Sequence, residues 1–456
     1  MRGISRRTAL ALAAGVAAAP AVSTMSTVTA SAAATPRLTA SGLNPVVRAD
    51  LITTVTPSGG WRVTAVAIRY ANPVDLRGGT IPLSAFKVTA TVQRQTAPRT
   101  VTRVYSNTAA EVTDHGRPGN HLIIELAASD VNASAAGTDP YPLDRAYAVR
   151  QVADLTNPAG DVVLPASPLA VRNDGVRNPV VDDFTAGSFV DSAGFELDYR
   201  LCQPVDLLRN TRYPLVVTLH GGGEVADNNM TQLTANRIAV TFATPGRRRR
   251  HPAFVLSPQI PLPRPMEGPD GTDWTDPRVQ RATVELIDTV TARYPVDTER
   301  IYVVGLSSGG RGVFSLLPRY PGKFAAAVAT AGWGDQSTME RMVDVPLWAD
   351  HSVDDPTVPY REGRFGKPGT WTLMNALEAA GAKVTRGEWA NNLPKAEFEA
   401  RSRELLRTAQ ATGSHVMFTS YSAGTTAVNP HFSWAQTYEN DVIIEWLFAQ
   451  SRPRRR

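Results

Sequence analysis

Residues 300–304, Arg-Ile-Tyr-Val-Val, form a short apolar run that passes without a linker into Gly305-Leu306-Ser307-Ser308-Gly309. An apolar run of this length reads as a buried strand, and the residues from about Ser308 onward read as a helix. A strand that turns into a helix within a few residues needs a tight elbow, and small residues on either side of Ser307 permit one because a side chain there would crowd the neighbouring strand or helix. The G-x-S-x-G pattern alone decides little, since roughly 0.2 matches arise by chance at ordinary glycine and serine usage. Its setting makes it specific: a serine held at the C-terminal end of a sheet strand.

The rest of the chain from about 185 onward agrees. Segments 214–219, 254–256, 345–349, 383–388 and 416–421 read as further strands. Between two of them Val279, Ala282, Leu286, Ile287 and Val290 share one face of a helix that stops at Tyr294-Pro295, and a last helix is expected over 434–449. Strands alternating with helices predict an α/β domain over 185–451, a mainly parallel sheet with helices on both faces in the manner of the α/β-hydrolase fold. Before 185 the pattern differs. Residues 86–93 alternate apolar and polar, Leu122, Ile124 and Leu126 do so again, and turn formers at 57–60, 77–79, 116–119 and 157–160 separate such runs. Without a helix pattern or a blade-length repeat, residues 45–184 predict an all-β sandwich of the immunoglobulin-like kind.

Chain ends and charge bear on destination. Arg2, Arg6 and Arg7 precede a weakly apolar run, and small residues surround Ala30-Ser31-Ala32, so 1–32 reads as an export signal. The paired arginines of Ser5-Arg6-Arg7-Thr8-Ala9-Leu10 predict the twin-arginine route and a secreted, extracellular protein. Residues 33–44 read as a linker and 452–456 as a basic tail. The net charge of +5 resides largely in the leader and the tail, which leaves the body near neutral and gives no nucleic-acid footprint. Arg247–Arg250, beside Gly246 and Pro252, read as a solvated loop. Beyond the leader no segment has the length of a membrane span, so no anchor is expected. The lone Cys202 forms no internal disulfide and reads as an apolar filler.

A serine hydroxyl attacks a carbonyl only with a base in hydrogen-bond reach and a carboxylate to orient that base. In this fold the order is serine, acid, histidine. Among the histidines after Ser307, His351 precedes the candidate acids. His415 opens a strand, where a structural role is expected, and His431 lies in the loop before the last helix, which favours His431 as base. Asp354 and Asp355 lie just past the strand at 345–349, and residue chemistry does not separate them. His220-Gly221-Gly222-Gly223-Glu224 follows the strand at 214–219 and predicts the oxyanion loop, one donor from Gly222 or Gly221 and the other from the Ser308 N–H.

These motifs resemble the secreted esterases and peptidases of the prolyl-oligopeptidase-like branch of α/β hydrolases, related to polyhydroxyalkanoate depolymerases and feruloyl esterases. The likeness rests on 213–224, on 300–310, on Arg319-Tyr320-Pro321-Gly322-Lys323-Phe324-Ala325-Ala326 and on His431-Phe432-Ser433-Trp434. It implies an immunoglobulin-like domain ahead of the catalytic one. The family's acid loop, His-Gly-x-x-Asp-x-x-Val-Pro, is similar to 351–359 with Ser352 in place of glycine, and this register selects Asp355 as the acid. It also places Trp274 near the acyl pocket as an aromatic wall or plain packing; Glu224, at the end of the glycine loop, is the other candidate for that pocket. The stretch between Asp355 and His431 is longer than the family's and includes a helix expected over 395–411, either a lid over the site or a peripheral insertion. The expectation is a serine hydrolase that cleaves carboxylic esters, polymeric ones included, through an acyl-serine without metal or organic cofactor. A peptidase is the rival within enzymes, against which the missing propeller and the lack of an acidic pair to dock a substrate N-terminus weigh. A non-catalytic binding protein on the same scaffold is the other, against which all three triad positions being filled weighs.

Overall fold

The computed structural model describes residues 44–76, 81–135, 145–157, 160–262 and 273–453. The leader, the linker up to 43, the turn at 77–79 and the last three residues of the tail lie outside the described residues.

The N-terminal part is a two-sheet sandwich. In one sheet Val46–Thr56 and Gly60–Val74 pair antiparallel, followed by Gly119–Leu126 and Val101–Asn107, with Gly175–Arg177 on the opposite edge. The other sheet centres on Phe86–Val92 and Ala146–Gln151. Leu51, Val66, Ile68, Leu122 and Ile124 from the first sheet meet Phe86, Val88, Tyr147 and Val149 from the second. The expected alternation along Gly119–Leu126 is incomplete, because Ile123 is buried too. It packs with Ile52, Ala65 and Ala67 on the sheet's other face, where Tyr105 covers them. A half-exposed strand reads as alternating only while its second face stays wet.

The second part is the α/β-hydrolase fold. Its nine-stranded sheet runs Phe184–Val190, Glu196–Cys202, Phe254–Gln259, Tyr213–Leu219, Val296–Leu306, Ala326–Thr330, Leu347–Ser352, Val416–Tyr421, Val384–Trp389. The first two pairings are antiparallel and the rest parallel. Tyr213–Leu219, Phe254–Gln259 and Ala326–Thr330 are buried at every position, which is why 214–219 and 254–256 read as apolar runs; the alanine-rich third is a strand that the sequence pattern did not mark. The helix Pro277–Arg293 begins with proline at its first position and the Asp276 side chain accepting the Arg278 N–H. It buries Val279, Ala282, Leu286, Ile287 and Val290, and it ends at Tyr294 because the following proline disfavours helix there.

Two expectations need correction, and one open alternative is decided. The last helix is two, Trp434–Thr437 and Asp441–Phe448. The Tyr438 carbonyl is taken by the Thr241 hydroxyl (2.7 Å) and by Arg247 Nη1 (2.7 Å), and Asn440 leaves the helical region to cap the second helix through the Val442 N–H. Arg247–Arg250 are not a solvated loop. They lie in the helix Pro245–Arg250, and Arg247 is 6% exposed, bonded to Asp441 through Nε (3.1 Å) and Nη2 (2.9 Å) and to the Thr241 hydroxyl. Arg248 pairs with Asp183. The helix Lys395–Thr412 is not a lid: Phe398, Leu405 and Ala409 pack on the sheet against Trp389 and Tyr421, and the Asn440 side chain donates to Ser402 Oγ.

Candidate active site

Ser307 stands between the strand Val296–Leu306 and the helix Ser308–Arg319, with φ 52° and ψ −120°. A non-glycine residue at positive φ is strained, and here its N–H is tied to the Thr330 carbonyl (2.9 Å) of the neighbouring strand. The flanking glycines are required by close approach. A Cβ on Gly305 would lie 2.2 Å from the Gly309 carbonyl oxygen, and one on Gly309 would lie 1.9 Å from that of Leu219. The elbow thus fixes a hydroxyl that in an ordinary turn would sample several positions.

His431 Nε2 lies 2.9 Å from Ser307 Oγ, and its Nδ1 lies 2.6 Å from Asp355 Oδ2. The short helical turn Pro430–Phe432 carries the imidazole, with the Asn429 side chain accepting the His431 N–H and the Trp434 ring edge-on at 5.0 Å. Asp355 Oδ1 accepts the N–H groups of Thr357 (2.8 Å) and Val358 (2.9 Å). Burial alone would raise this carboxyl's pKa, but the hydrogen bonds from His351 and His431 outweigh it and hold the group far below the usual carboxylate range. Asp355 is therefore ionised and faces His431. Asp354 points elsewhere, its Oδ2 accepting the Gly424 N–H (2.8 Å); with Ser352 Oγ on Thr426 Oγ1 (2.7 Å) it ties the histidine loop to the acid turn. His415, the other candidate base, sits on the Val343 carbonyl, away from Ser307.

The glycine loop lies beside Ser307, since a Cβ on Gly221 would be 3.6 Å from Ser307 Cβ. Gly222 opens the turn Gly222–Glu224, Ser308 opens its helix, and neither N–H has an acceptor among the described residues. Two free amides at element starts, next to a serine hydroxyl, suit a developing oxyanion. His220 braces this loop from below. Its Nε2 accepts the Ile260 N–H (3.0 Å), so Nδ1 carries the proton and donates to the Gly221 carbonyl (2.7 Å). Complete burial keeps the ring neutral, pushing its pKa down to about 4. Trp274 corrects an expectation. At 1% exposure it is no pocket wall; its Nε1 donates to the His220 carbonyl (2.8 Å) and its ring meets His220 edge-on. Glu224 is half-buried and folds back on its own loop, with Oε1 accepting from Asn236.

Sequence reasoning set His351 aside because it precedes the acid, yet the structure places its Nε2 3.0 Å from the same Asp355 oxygen that faces His431. The signal was present: a histidine four residues before the acid, at the end of the same strand, is within reach once the chain turns back. Asp350, a poorer candidate for the acid by its position in the strand, is fully buried between the Thr330 and Thr437 hydroxyls, both at 2.9 Å, and burial pushes its pKa up to about 7. The folded state therefore holds a proton that the unfolded chain releases above about pH 4, so the contribution of this group to stability falls as pH rises from about 4 to about 7. Asp350→Asn is expected to remove that slope and to gain on the order of 3 kcal/mol at pH 8, little at pH 4. Thermal unfolding of both proteins at the two pH values checks this; equal differences at both would show Asp350 ionised throughout.

Comparisons with known proteins follow the two parts. The family described as "Putative esterase" matches residues 197–437, and "Esterase Ig-like N-terminal domain" matches 48–164. Among solved structures, a thermostable esterase is 30% identical with a TM-score of 0.68, aligned over 89% of this chain and 100% of its own. A ferulic acid esterase from Anaeromyces mucronatus aligns at 12% identity over 56% of this chain and 88% of its own, with a TM-score of 0.34. A puromycin-hydrolyzing peptidase from Mycobacterium tuberculosis aligns at 10% identity over 89% and 69%, with a TM-score of 0.37. No curated protein matches the chain. With the esterase match spanning more than half of the chain and the thermostable esterase matched over its whole length, the chain belongs to the esterase family, an immunoglobulin-like domain preceding its catalytic domain, and it is a hydrolase.

Proposed function

We propose that the protein hydrolyses carboxylic esters through an acyl-serine intermediate, with Ser307 as nucleophile, His431 as base and Asp355 as the acid that orients it. The observation that carries this reading is the unbroken chain of contacts from Ser307 Oγ through both nitrogens of His431 to Asp355. In the first half-reaction His431 Nε2 takes the hydroxyl proton as Oγ bonds to the acyl carbon, and the carbonyl oxygen, now an anion, is held by the N–H groups of Gly222 and Ser308. Collapse breaks the bond to the alkoxide, which leaves with the proton from His431. Water then repeats the sequence: its proton goes to His431, its oxygen bonds to the acyl carbon, and Ser307 recovers its proton as the acid departs. Asp355 stays ionised and stabilises the imidazolium formed in each half.

The leader supports export by the twin-arginine route and a secreted protein, and among the described residues no helix is long and apolar enough to cross a membrane. An exported esterase with an accessory β domain suits a polymeric substrate, a polyester or an acylated polysaccharide. Hydrolysis of short and medium p-nitrophenyl esters, set beside matched p-nitroanilides, tests the activity. Turnover of esters well above that of anilides is expected. The reverse order would make the protein a peptidase, and a wild type that neither turns over any of them nor reacts with a fluorophosphonate would end the catalytic reading.

A further inference from the structure

His351 is completely buried, one residue before the end of the strand Leu347–Ser352. Its Nε2 has two neighbours, Asp355 Oδ2 at 3.0 Å and the Val358 carbonyl at 2.9 Å. A carbonyl can only accept, and Asp355 is ionised, so Nε2 must carry a proton. Nδ1 lies 2.9 Å from Thr370 Oγ1, and that hydroxyl lies 2.8 Å from the Gly332 carbonyl, to which it donates. A hydroxyl can accept from Nδ1 or donate to it, so this contact is satisfied in either arrangement of protons. Either form keeps Nε2–H.

Asp355 Oδ2 is thus shared by two imidazoles, His431 at 2.6 Å and His351 at 3.0 Å, while Oδ1 is filled by two backbone amides. We propose that His351 is a positioning residue of the triad: through Nε2–H it fixes the plane of the Asp355 carboxylate and draws charge from the oxygen that faces His431, so that the base is held in line without being made too basic to return its proton. This rests on the ester-hydrolase reading for its kinetic consequence but not for its geometry. Other groups around the pair are already engaged. Tyr360 meets the His351 ring edge-on at 5.7 Å and bonds Ser420 Oγ; Arg386 and Glu388, on the outer strand, act on Tyr360; Asp354 holds the Gly424 N–H; Asp350 lies between Thr330 and Thr437, near the Tyr421 and Tyr438 hydroxyls. Ser307 is the remaining partner of His431. None of these donates to Asp355 Oδ2 in place of His351.

Two variants separate positioning from packing. His351→Gln can place an amide N–H near the Nε2 position and cannot titrate, whereas His351→Phe fills the ring volume with no donor. His351→Phe is expected to lower kcat about ten- to a hundredfold with KM little changed, as misplacement of a supporting group does. It should also move the acid limb of the kcat/KM profile upward by about half a pH unit or more, because the unshared carboxylate charge then falls on His431. His351→Gln should restore most of kcat and the original limb. Wild-type kcat and profile in His351→Phe overturn the proposal. So does a His351→Gln protein as damaged as His351→Phe with an unmoved limb, which marks a packing role. Nitrogen-15 histidine spectra of the unaltered protein decide the geometry even if a variant fails to fold or no ester is turned over: His351 Nε2 protonated across the active pH range is required, and a bare Nε2 overturns the assignment.

Discussion

Ser307→Ala is expected to lower kcat for any accepted ester by about 10⁴-fold or more, and His431→Ala by a similar factor. The reason is that the two side chains act as one unit. Without Oγ there is nothing for Nε2 to deprotonate, and without Nε2, now 2.9 Å from Oγ, the hydroxyl remains a poor nucleophile. The double variant should be scarcely worse than either single one, and the residual rate would come from the oxyanion donors and substrate binding alone. KM should change little, since neither side chain shapes the oxyanion loop. Stopped-time assays of the three variants, with circular dichroism to show that the fold is kept, provide the check. Losses that simply multiply in the double variant would mean that Ser307 and His431 act independently and that the contact between them is incidental.

Asp355→Asn should cost about as much, on the order of 10⁴-fold in kcat, although it keeps the shape of the side chain. The two backbone N–H groups on Oδ1 fix which way the new amide turns: its oxygen must face Thr357 and Val358, and its NH₂ then occupies the Oδ2 position. There it meets His431 Nδ1, which must become an acceptor to avoid facing a donor, and the proton moves to Nε2. A base with its proton already on the nitrogen facing Ser307 cannot take another. Asp354→Asn, by contrast, keeps an oxygen for the Gly424 N–H and should stay within about tenfold of wild type, the loss expected when a loop tie is weakened. Steady-state kinetics of the two variants side by side give the answer. Equal losses would mean that the loop tie, not the contact to His431, sets the rate.

Much of the catalytic domain was legible because its strands are buried on both faces and its motifs are local. The segment 416–421 matches Val416–Tyr421 residue for residue, and the elbow needed only the small residues that a close approach demands. Where local pattern failed, a distant partner decided. Apolar spacing over 434–449 is that of one helix, but a guanidinium and a hydroxyl from the 240s hold the Tyr438 carbonyl and break it. Four consecutive arginines read as solvated because nothing near them in sequence is acidic; Asp441, which accepts from Arg247, is 194 positions away. Trp274 illustrates the same limit, as no local signal says whether an aromatic ring faces a ligand or a neighbouring carbonyl.

The sequence by itself determined the fold class and singled out Ser307 and His431 as the candidates for nucleophile and base, since each follows from residue types and chain order that admit few alternatives. Composition and spacing left Asp354 and Asp355 equivalent; the likeness of 351–359 to the family's acid loop selected Asp355, and the tertiary structure gives the physical reason: a turn of backbone sends one carboxylate to the Gly424 amide and the other between two imidazoles. The place of His351 was likewise decided by the fold. A histidine's role depends on which atoms face its two nitrogens, and those atoms, from Asp355, Val358 and Thr370, come together only when the strand, the acid turn and the following helix pack.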